Sequence, residues 1–383
     1  MQNTLNIQQI ISGGNSFLIN LVSELSDLGI TTSNLKIDHL CFRVKTSESY
    51  QSYQFLFSIH GELLTETLVN GRSISTYRLH EPFRTKNHVV ELIELPAPKI
   101  GTNYSEGFEH AEFIIKESFD LFATKYPKLN FTKSGQQNTN PELCLKIKNG
   151  QAKFHYTPLD RIIEIEQAQF SDIIFDLDGT LIQSREKIYQ INSIVFSEAL
   201  DRQISLVESK EKFQSEFVKL FEAFELYCPF KRTQAISRWS EISKTFSYQM
   251  FPGIADFVKK IRATNCRLHL WTARDENSAR RILQDCGIES LFTTFSFTTI
   301  KNSKPNINNL NFDWQSTNKN SIVVIGDSPT DMIAANHISA VSVAALWDPH
   351  ANQHEMISSG AQVFINNISE LEHWLHGKMR GSK

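Results

Sequence analysis

The chain has 383 residues, of which 40% are hydrophobic, 21% charged and 11% aromatic. This is the composition of two or three globular domains and excludes a disordered, collagenous or coiled-coil chain. The formal net charge of -3 gives no bulk attraction to nucleic acid or to an anionic membrane, and no apolar run approaches the ~18–20 residues that span a bilayer.

Cys41, Cys144, Cys228, Cys266 and Cys286 are scattered and odd in number. They form no C-x-x-C pair, which predicts free thiols in a reducing compartment and no structural zinc. The first residues, MQNTLNIQQIISGGN, lack the basic-then-apolar order of a signal peptide, so the expected location is the cytoplasm.

Residues 8–29 carry Ile10, Ile11, Phe17, Leu18, Leu21, Leu25 and Leu28 at helical spacing, which predicts a helix. From residue 36 the pattern becomes strand-like. Residues 37–44 predict a strand, 48–59 a helix, and 62–69, 73–79 and 88–95 three more strands. Asn70-Gly71 separates the first two of these as a hairpin turn. A second set follows, with a strand at 110–115, a helix at 118–126 and strands at 143–148, 152–156 and 161–167. Asn149-Gly150 is its hairpin turn. The order β-α-β-β-β therefore occurs twice, as a structural repeat with little shared sequence. It predicts an α+β N-terminal domain of paired βαβββ modules.

Residues 168–171 read as a short connection, so the expected domains are 1–167 and 168–383. Beyond it, the runs at 172–175 (DIIF), 267–271 (RLHLW) and 321–325 (SIVVI) are apolar throughout and separated by long helical stretches. Such runs predict parallel strands covered on both faces, an α/β doubly wound domain. Residues 184–250 are mostly helical and interrupt that pattern after its first strand, which predicts an inserted cap. Within it Phe213, Phe217, Leu220, Phe221 and Phe224 would share one helical face, as the cap's core or as a lid that excludes water.

The chemistry is carried by Asp176-Leu177-Asp178-Gly179-Thr180, directly after the first buried run. A carboxylate at the end of a parallel strand faces the crevice where such sheets bind ligands. Asp176 is suited to attack phosphorus, and Asp178 to protonate the leaving oxygen and then help deprotonate water. Gly179 lets the chain turn away sharply. One D-x-D alone is equally a turn or a helix cap. Here Asp176, Thr272 and Asp327 each stand at or just past the end of an apolar run. Three such ends converge only on one edge of one sheet.

The run resembles the first motif of the haloacid dehalogenase superfamily of phosphohydrolases, and the resemblance covers roughly 172–375. It implies that the Thr272 hydroxyl binds the transferring phosphoryl group and that Lys304 offsets its charge. Gly326-Asp327-Ser328-Pro329-Thr330-Asp331 matches the acidic magnesium motif. The family would place Mg2+ on the Asp176 and Asp327 carboxylates and the Asp178 backbone carbonyl, with Asp331 supporting the metal shell or holding Lys304. An aspartate at 178 suits phosphatases and phosphomutases rather than carbon–halogen cleavage. The helical cap looks like that of the phosphoglycolate phosphatase and β-phosphoglucomutase branch, which implies a small phosphorylated metabolite. Phe251-Pro252-Gly253 resembles the return from such a cap, and Arg274 and Asp275 are candidates for substrate contact or for a helix N-terminus.

The doubled N-terminal order suggests the vicinal oxygen chelate (VOC), or glyoxalase, fold. The phrases IDHLCFRV, GELLTETLVNGR, ELIELPAPK, YSEGFEHAEFII and AKFHY resemble the YecM family, over about residues 1–167. VOC enzymes hold a divalent metal through one residue from each of four strands. The resemblance implies His39, Glu94, His110 and Glu164 as ligands, with Glu166 in place of Glu164 and Glu91 in place of Glu94 as alternatives. Alternation puts His39, Cys41 and Arg43 on one strand face and His110 with Glu112 on another, and His155 could reach the same cavity. Such a set suits Zn, Ni, Fe or Mn. The expected function is a Mg-dependent phosphatase fused to a metal-binding VOC domain. The alternatives are a phosphomutase, a VOC isomerase or lyase acting beside the phosphatase, and a VOC ligand-binding module that regulates it.

Overall fold

Two hydrophobic cores divide the chain into units Met1–Glu164 and Ile165–Lys383. The computed structural model describes residues 6–381 except 70, 100, 102–104, 136–139, 215 and 299–302. Among the described residues, no helix is long and apolar enough to cross a membrane.

The first unit opens with α1 (Ile7–Asp27), whose Leu18, Leu21 and Leu25 are buried. Then come β1 (Lys36–Arg43), α2 (Ser47–His60), β2 (Gly61–Val69), β3 (Arg72–Arg84) and β4 (Val89–Pro96). The second module is β5 (Gly107–Ile114), α3 (Phe119–Thr124), β6 (Phe131–Ser134), β7 (Glu142–Ile147) and β8 (Gly150–His155). The predicted β-α-β-β-β order is present twice. All eight strands form one mixed sheet, in the order β2-β3-β4-β1-β5-β8-β7-β6. The modules meet where β1 pairs antiparallel with β5, so the first strand of each lies at the centre of the sheet. Asn70 lies outside the described residues, but the hairpin it was to close is present, with Val69 opposite Arg72. The Asn149-Gly150 hairpin is present too, with Ile147 opposite Gly150 at φ 149°.

The second module is offset by one strand from the sequence expectation. Residues 131–134 form a strand that the periodicity did not reveal, and residues 161–167 belong to helix α4 (Leu159–Gln167) rather than a final strand. The β-branched Ile162, Ile163 and Ile165 imitate a strand. All three are buried, and the burial of one helical face outweighs their weak helix propensity.

In the second unit, β9 (Asp172–Phe175), β12 (Arg267–Thr272), β13 (Thr294–Phe297), β14 (Ile322–Gly326), β15 (Val341–Ala345) and β16 (Val363–Ile365) form a parallel sheet in the order β13-β12-β9-β14-β15-β16. Helices α9 (Ile254–Arg262), α10 (Glu276–Asp285), α11 (Pro329–His337), α12 (Gln353–Ser358) and α13 (Ile368–Leu375) complete it. The cap is α5 (Arg185–Leu200), α6 (Leu206–Glu211), α7 (Phe217–Ala223) and α8 (Pro229–Ser243). Its two connections pair as a short ribbon, β10 (Ile182–Gln183) with β11 (Gln249–Met250).

The five cap residues expected on one helical face separate. Leu220, Phe221 and Phe224 are buried in the cap core, where Phe224 stacks on Phe196 at 3.9 Å. Phe213 stands in the loop between α6 and α7, and Phe217 is only partly buried. The helix breaks before residue 217, so period 3.6 does not carry across.

The aromatic centre of the first unit gives a direct stability test. Phe154 is fully buried on β8 and meets Phe122 at 4.6 Å and Phe113 at 5.4 Å. Phe154→Ala is expected to cost about 3–5 kcal/mol of that unit's stability, read as a lower urea midpoint.

Candidate active site and metal centre

The parallel sheet brings its functional residues together through strand order. β9 lies between β12 and β14. Asp176 follows β9, Thr272 ends β12, and Asp327 follows β14. Backbone register holds the first of these in place, since Asp176 N donates to Ile325 O at 2.9 Å. Gly179 then turns at φ 76°, and a Cβ there would run into the Asp327 carboxylate. At Gly326 a Cβ would run into Asp331. Only glycine lets these carboxylates come so close to the backbone.

Lys304 Nζ donates to Asp176 Oδ1 at 2.9 Å and to Asp331 Oδ1 at 2.5 Å. The other Asp331 oxygen accepts from Ser328 N at 2.9 Å and Ser328 Oγ at 2.8 Å, at the start of α11. The contact with Lys304 is one of the two roles expected of Asp331. The Thr272 hydroxyl is fully buried and accepts from Arg274 N at 3.2 Å.

Two arginines complete the site. Arg274 grips Asp178 with both arms, Nε to Oδ2 at 2.6 Å and Nη2 to Oδ1 at 2.7 Å. Its third nitrogen donates to Ser243 Oγ of the cap at 3.0 Å and to Ser278 Oγ at 3.1 Å. Its guanidinium lies over the cap's Tyr248 and Trp239 rings at 4.6 and 5.4 Å. Arg274 was a sequence candidate for substrate contact, and its partner is the second aspartate. Asp275 is the N-cap of α10 and accepts from Ser278 N, as the alternative reading of that pair expected. Arg185, the first residue of α5, donates to Asp327 Oδ2. Nothing in its sequence context marked it.

Electrostatics set the carboxylates apart. Burial and the neighbouring Asp331, Asp327 and Asp178 push the Asp176 carboxyl well up, against the pull of Lys304. Burial, with Asp331 and Asp348, pushes Asp327 up to about 7 despite Arg185. Burial also acts on Asp178, but Arg274 overcomes it and holds that carboxyl below the usual range. Asp176, Asp327 and Asp331 offer oxygens within 4.8 Å of one another, all buried. That crowding of hard oxygen donors suits a divalent cation such as magnesium.

The first unit gathers a second cluster around the β1–β5 pairing. Each strand carries one extra residue there. Asp38 is unpaired between Ile37 and His39, and Glu109 between Phe108 and His110. The bulges turn these carboxylates toward the neighbouring histidine. Asp38 Oδ2 meets His39 Nδ1 at 3.0 Å, and Glu109 Oε2 meets His110 Nδ1 at 3.0 Å. Both Nε2 atoms then face Glu112 Oε1, at 3.5 Å from His39 and 3.2 Å from His110. Among the described residues, the Nε2 atoms of His39, His110 and His155 are buried without a hydrogen bond. His39, Glu94 and His110 bring ligand atoms within 4.8 Å of one another.

Glu164 is not part of this cluster. It lies on α4, about half exposed, and pairs with Arg161 at 2.8 Å. Glu166, its alternative, is exposed on the same helix. Glu91 is exposed beside Arg78. The one-strand offset explains the miss. In the first module Glu94 lies opposite Cys41, two residues after His39. In the second, the position opposite Glu112, two residues after His110, is Lys153. Lys153 donates to Glu112 at 3.1 Å and Glu142 at 2.8 Å. Asp38 and Glu109 were not foreseen because a bulge breaks the period-two rule, and Lys153 because of the one-strand offset. His155 does reach the cluster, with Nε2 3.5 Å from Asp38.

Residues 6–166 match the family model described as YecM protein, and residues 173–345 match the model described as haloacid dehalogenase-like hydrolase. The chain is 27% identical over 167 residues to Protein YecM of Escherichia coli, covering 39% of this chain and 89% of that protein. It is 37% identical over 98 residues to an uncharacterized Haemophilus influenzae protein, covering 24% of this chain and spanning 51% of that relative. It is 23% identical over 184 residues to a phosphoglycolate phosphatase of Synechococcus elongatus, covering 46% of this chain and 83% of the relative. By these matches the chain joins an N-terminal YecM domain to a C-terminal haloacid dehalogenase-like hydrolase domain.

Proposed function

We propose that the C-terminal domain is a magnesium-dependent phosphatase that hydrolyses a phosphate monoester through Asp176. The observation that carries this reading is the convergence of Asp176, Asp178, Lys304, Asp327 and Asp331 on one edge of the parallel sheet. Asp176 lies against Lys304, and Asp178 is gripped by Arg274. In the first step an Asp176 oxygen attacks phosphorus as the bond to the ester oxygen breaks, and Asp178 gives that oxygen its proton. In the second, water attacks the aspartyl-phosphate, Asp178 takes the proton, and Asp176 and phosphate are released. The anionic phosphate competes for Arg274, which frees Asp178 to take up the proton it must donate. Lys304 and the Thr272 hydroxyl bind the transferring phosphoryl group. Asp176, Asp327 and the Asp178 backbone carbonyl would hold magnesium, which would supply neutralisation of charge on the phosphoryl oxygens.

Phosphate release is expected to need added Mg2+, to stop with a chelator, and to fall about 10⁴-fold or more in Asp176→Asn. Undiminished release by that variant would overturn the reading.

A second reading concerns the YecM domain. The buried Nε2 atoms of His39 and His110, each with Nδ1 held by a carboxylate, support a divalent metal centre with Glu94, and with Glu112 in place of Glu164. Zinc, nickel, iron and manganese all fit two imidazoles and carboxylates. Although burial alone would favour the neutral ring, Glu112 and Asp38 raise the His39 pKa to about 10. A metal must then displace a proton, so affinity is expected to rise with pH up to about that value. Elemental analysis of the full chain should find one metal equivalent that is lost in His39→Ala and His110→Ala and kept in Glu164→Gln and Asp176→Asn.

A further inference from the structure

The cavity beside Asp176 is larger than the chemistry at its carboxylates requires. It holds about 1130 Å³, at the upper end of small-ligand sites, which run to about 1,000 Å³. One end carries Asp176, Asp178, Lys304 and Asp327. The other is walled by the cap side chains Phe213, Phe217, Ile236 and Trp239. A two-carbon phosphoester such as phosphoglycolate would leave most of this space to water.

The wall begins one side chain away from the reacting groups. Arg185, which donates to Asp327, lies over the Phe213 ring at 4.5 Å. Arg274, which grips Asp178, lies over Trp239. Phe217 meets Trp239 edge to face, with ring centres 6.3 Å apart. Trp239 is fixed by donating Nε1–H to Asn192 Oδ1 at 2.9 Å. Phe213, Phe217, Ile236 and Trp239 are only partly buried, unlike Phe196, Phe221 and Phe224 of the cap core. Their apolar surface is therefore turned to the cavity.

At the reacting end the charges already have partners. The three cations at the reacting end are paired with carboxylates, Lys304 with Asp176 and Asp331, Arg185 with Asp327, and Arg274 with Asp178. Arg232 and Lys244 also line the cavity, so it is the wall of Phe213, Phe217, Ile236 and Trp239, rather than charge, that offers an uncharged apolar group matching surface.

We infer that the phosphomonoester taken by this site carries a bulky apolar alcohol, aryl or extended alkyl, rather than a short hydroxy acid; this rests on the phosphatase reading above. Binding energy from the apolar group holds the phosphate against Asp176 and expels water.

The test compares kcat/KM of the full chain with Mg2+ on methyl, butyl and octyl phosphate, 1-naphthyl phosphate and phosphoglycolate. Each methylene that is fully buried is worth about fourfold, so octyl phosphate should exceed methyl phosphate by at least about tenfold. Naphthyl phosphate should likewise exceed phosphoglycolate. Phe217→Ser and Trp239→Ala should each lower the octyl-to-methyl ratio by about threefold or more. Preference for phosphoglycolate or methyl phosphate, or a ratio untouched in both variants, would overturn the inference. If no ester is hydrolysed, the phosphatase reading fails by itself. Calorimetry with octylphosphonate and methylphosphonate then decides the cavity: tighter octyl binding supports an apolar site, and equal binding overturns it.

Discussion

The C-terminal site depends on the cost of crowding acids. Asp176, Asp327 and Asp331 are buried within 4.8 Å of one another, with Asp178 beside them. Removed from water, such groups would take up protons unless cations lay close by. Lys304, Arg185 and Arg274 offset part of that cost from three parts of the chain: a loop after β13, the first turn of the cap, and the loop after β12. Asp178 is held below the usual range, while burial still leaves Asp176 and Asp327 above it. Strand order, tight glycines and the direction of the cap's first helix all serve to bring those charges together.

Much of this was legible because motif and element coincide. Asp176, Thr272 and Asp327 stand at the ends of apolar runs, and runs of that kind become parallel strands. Their convergence follows from sheet geometry. Arg185 was not legible, because a single basic residue at a helix start carries no spacing. Arg274 was visible as a candidate, but its partner depends on the path of two loops that periodicity does not describe.

The N-terminal domain shows the opposite balance. Its architecture was readable, since the doubled module order and the Asn149-Gly150 turn are local signals. Its cluster was only half readable. His39, Glu94 and His110 come together as the resemblance implied, but Asp38 and Glu109 reach it through bulges. A one-residue irregularity turns a side chain to the other face, and no pattern of alternating residues reports it. The three isoleucines of α4 hid a helix behind a strand-like composition, and Glu164 was carried along with it. Internal symmetry puts a lysine, Lys153, at the position equivalent to Glu94, and Glu112 faces the two imidazoles instead. A carboxylate at position 153 would have added negative charge to a cluster that already holds Asp38, Glu109 and Glu112. An ammonium balances it instead.

The ribbon formed by β10 and β11 sets how the cap can move. Its two strands leave and rejoin the core side by side, joined by backbone hydrogen bonds through Ile182–Met250 and Gln183–Gln249. Two independent tethers would let the cap slide or twist. Paired tethers behave as one strap, which bends easily across its plane and resists shear within it. Such a strap favours a swing of the cap over a slide. Groups beside the strap, Arg185 among them, would then shift least when the cap moves.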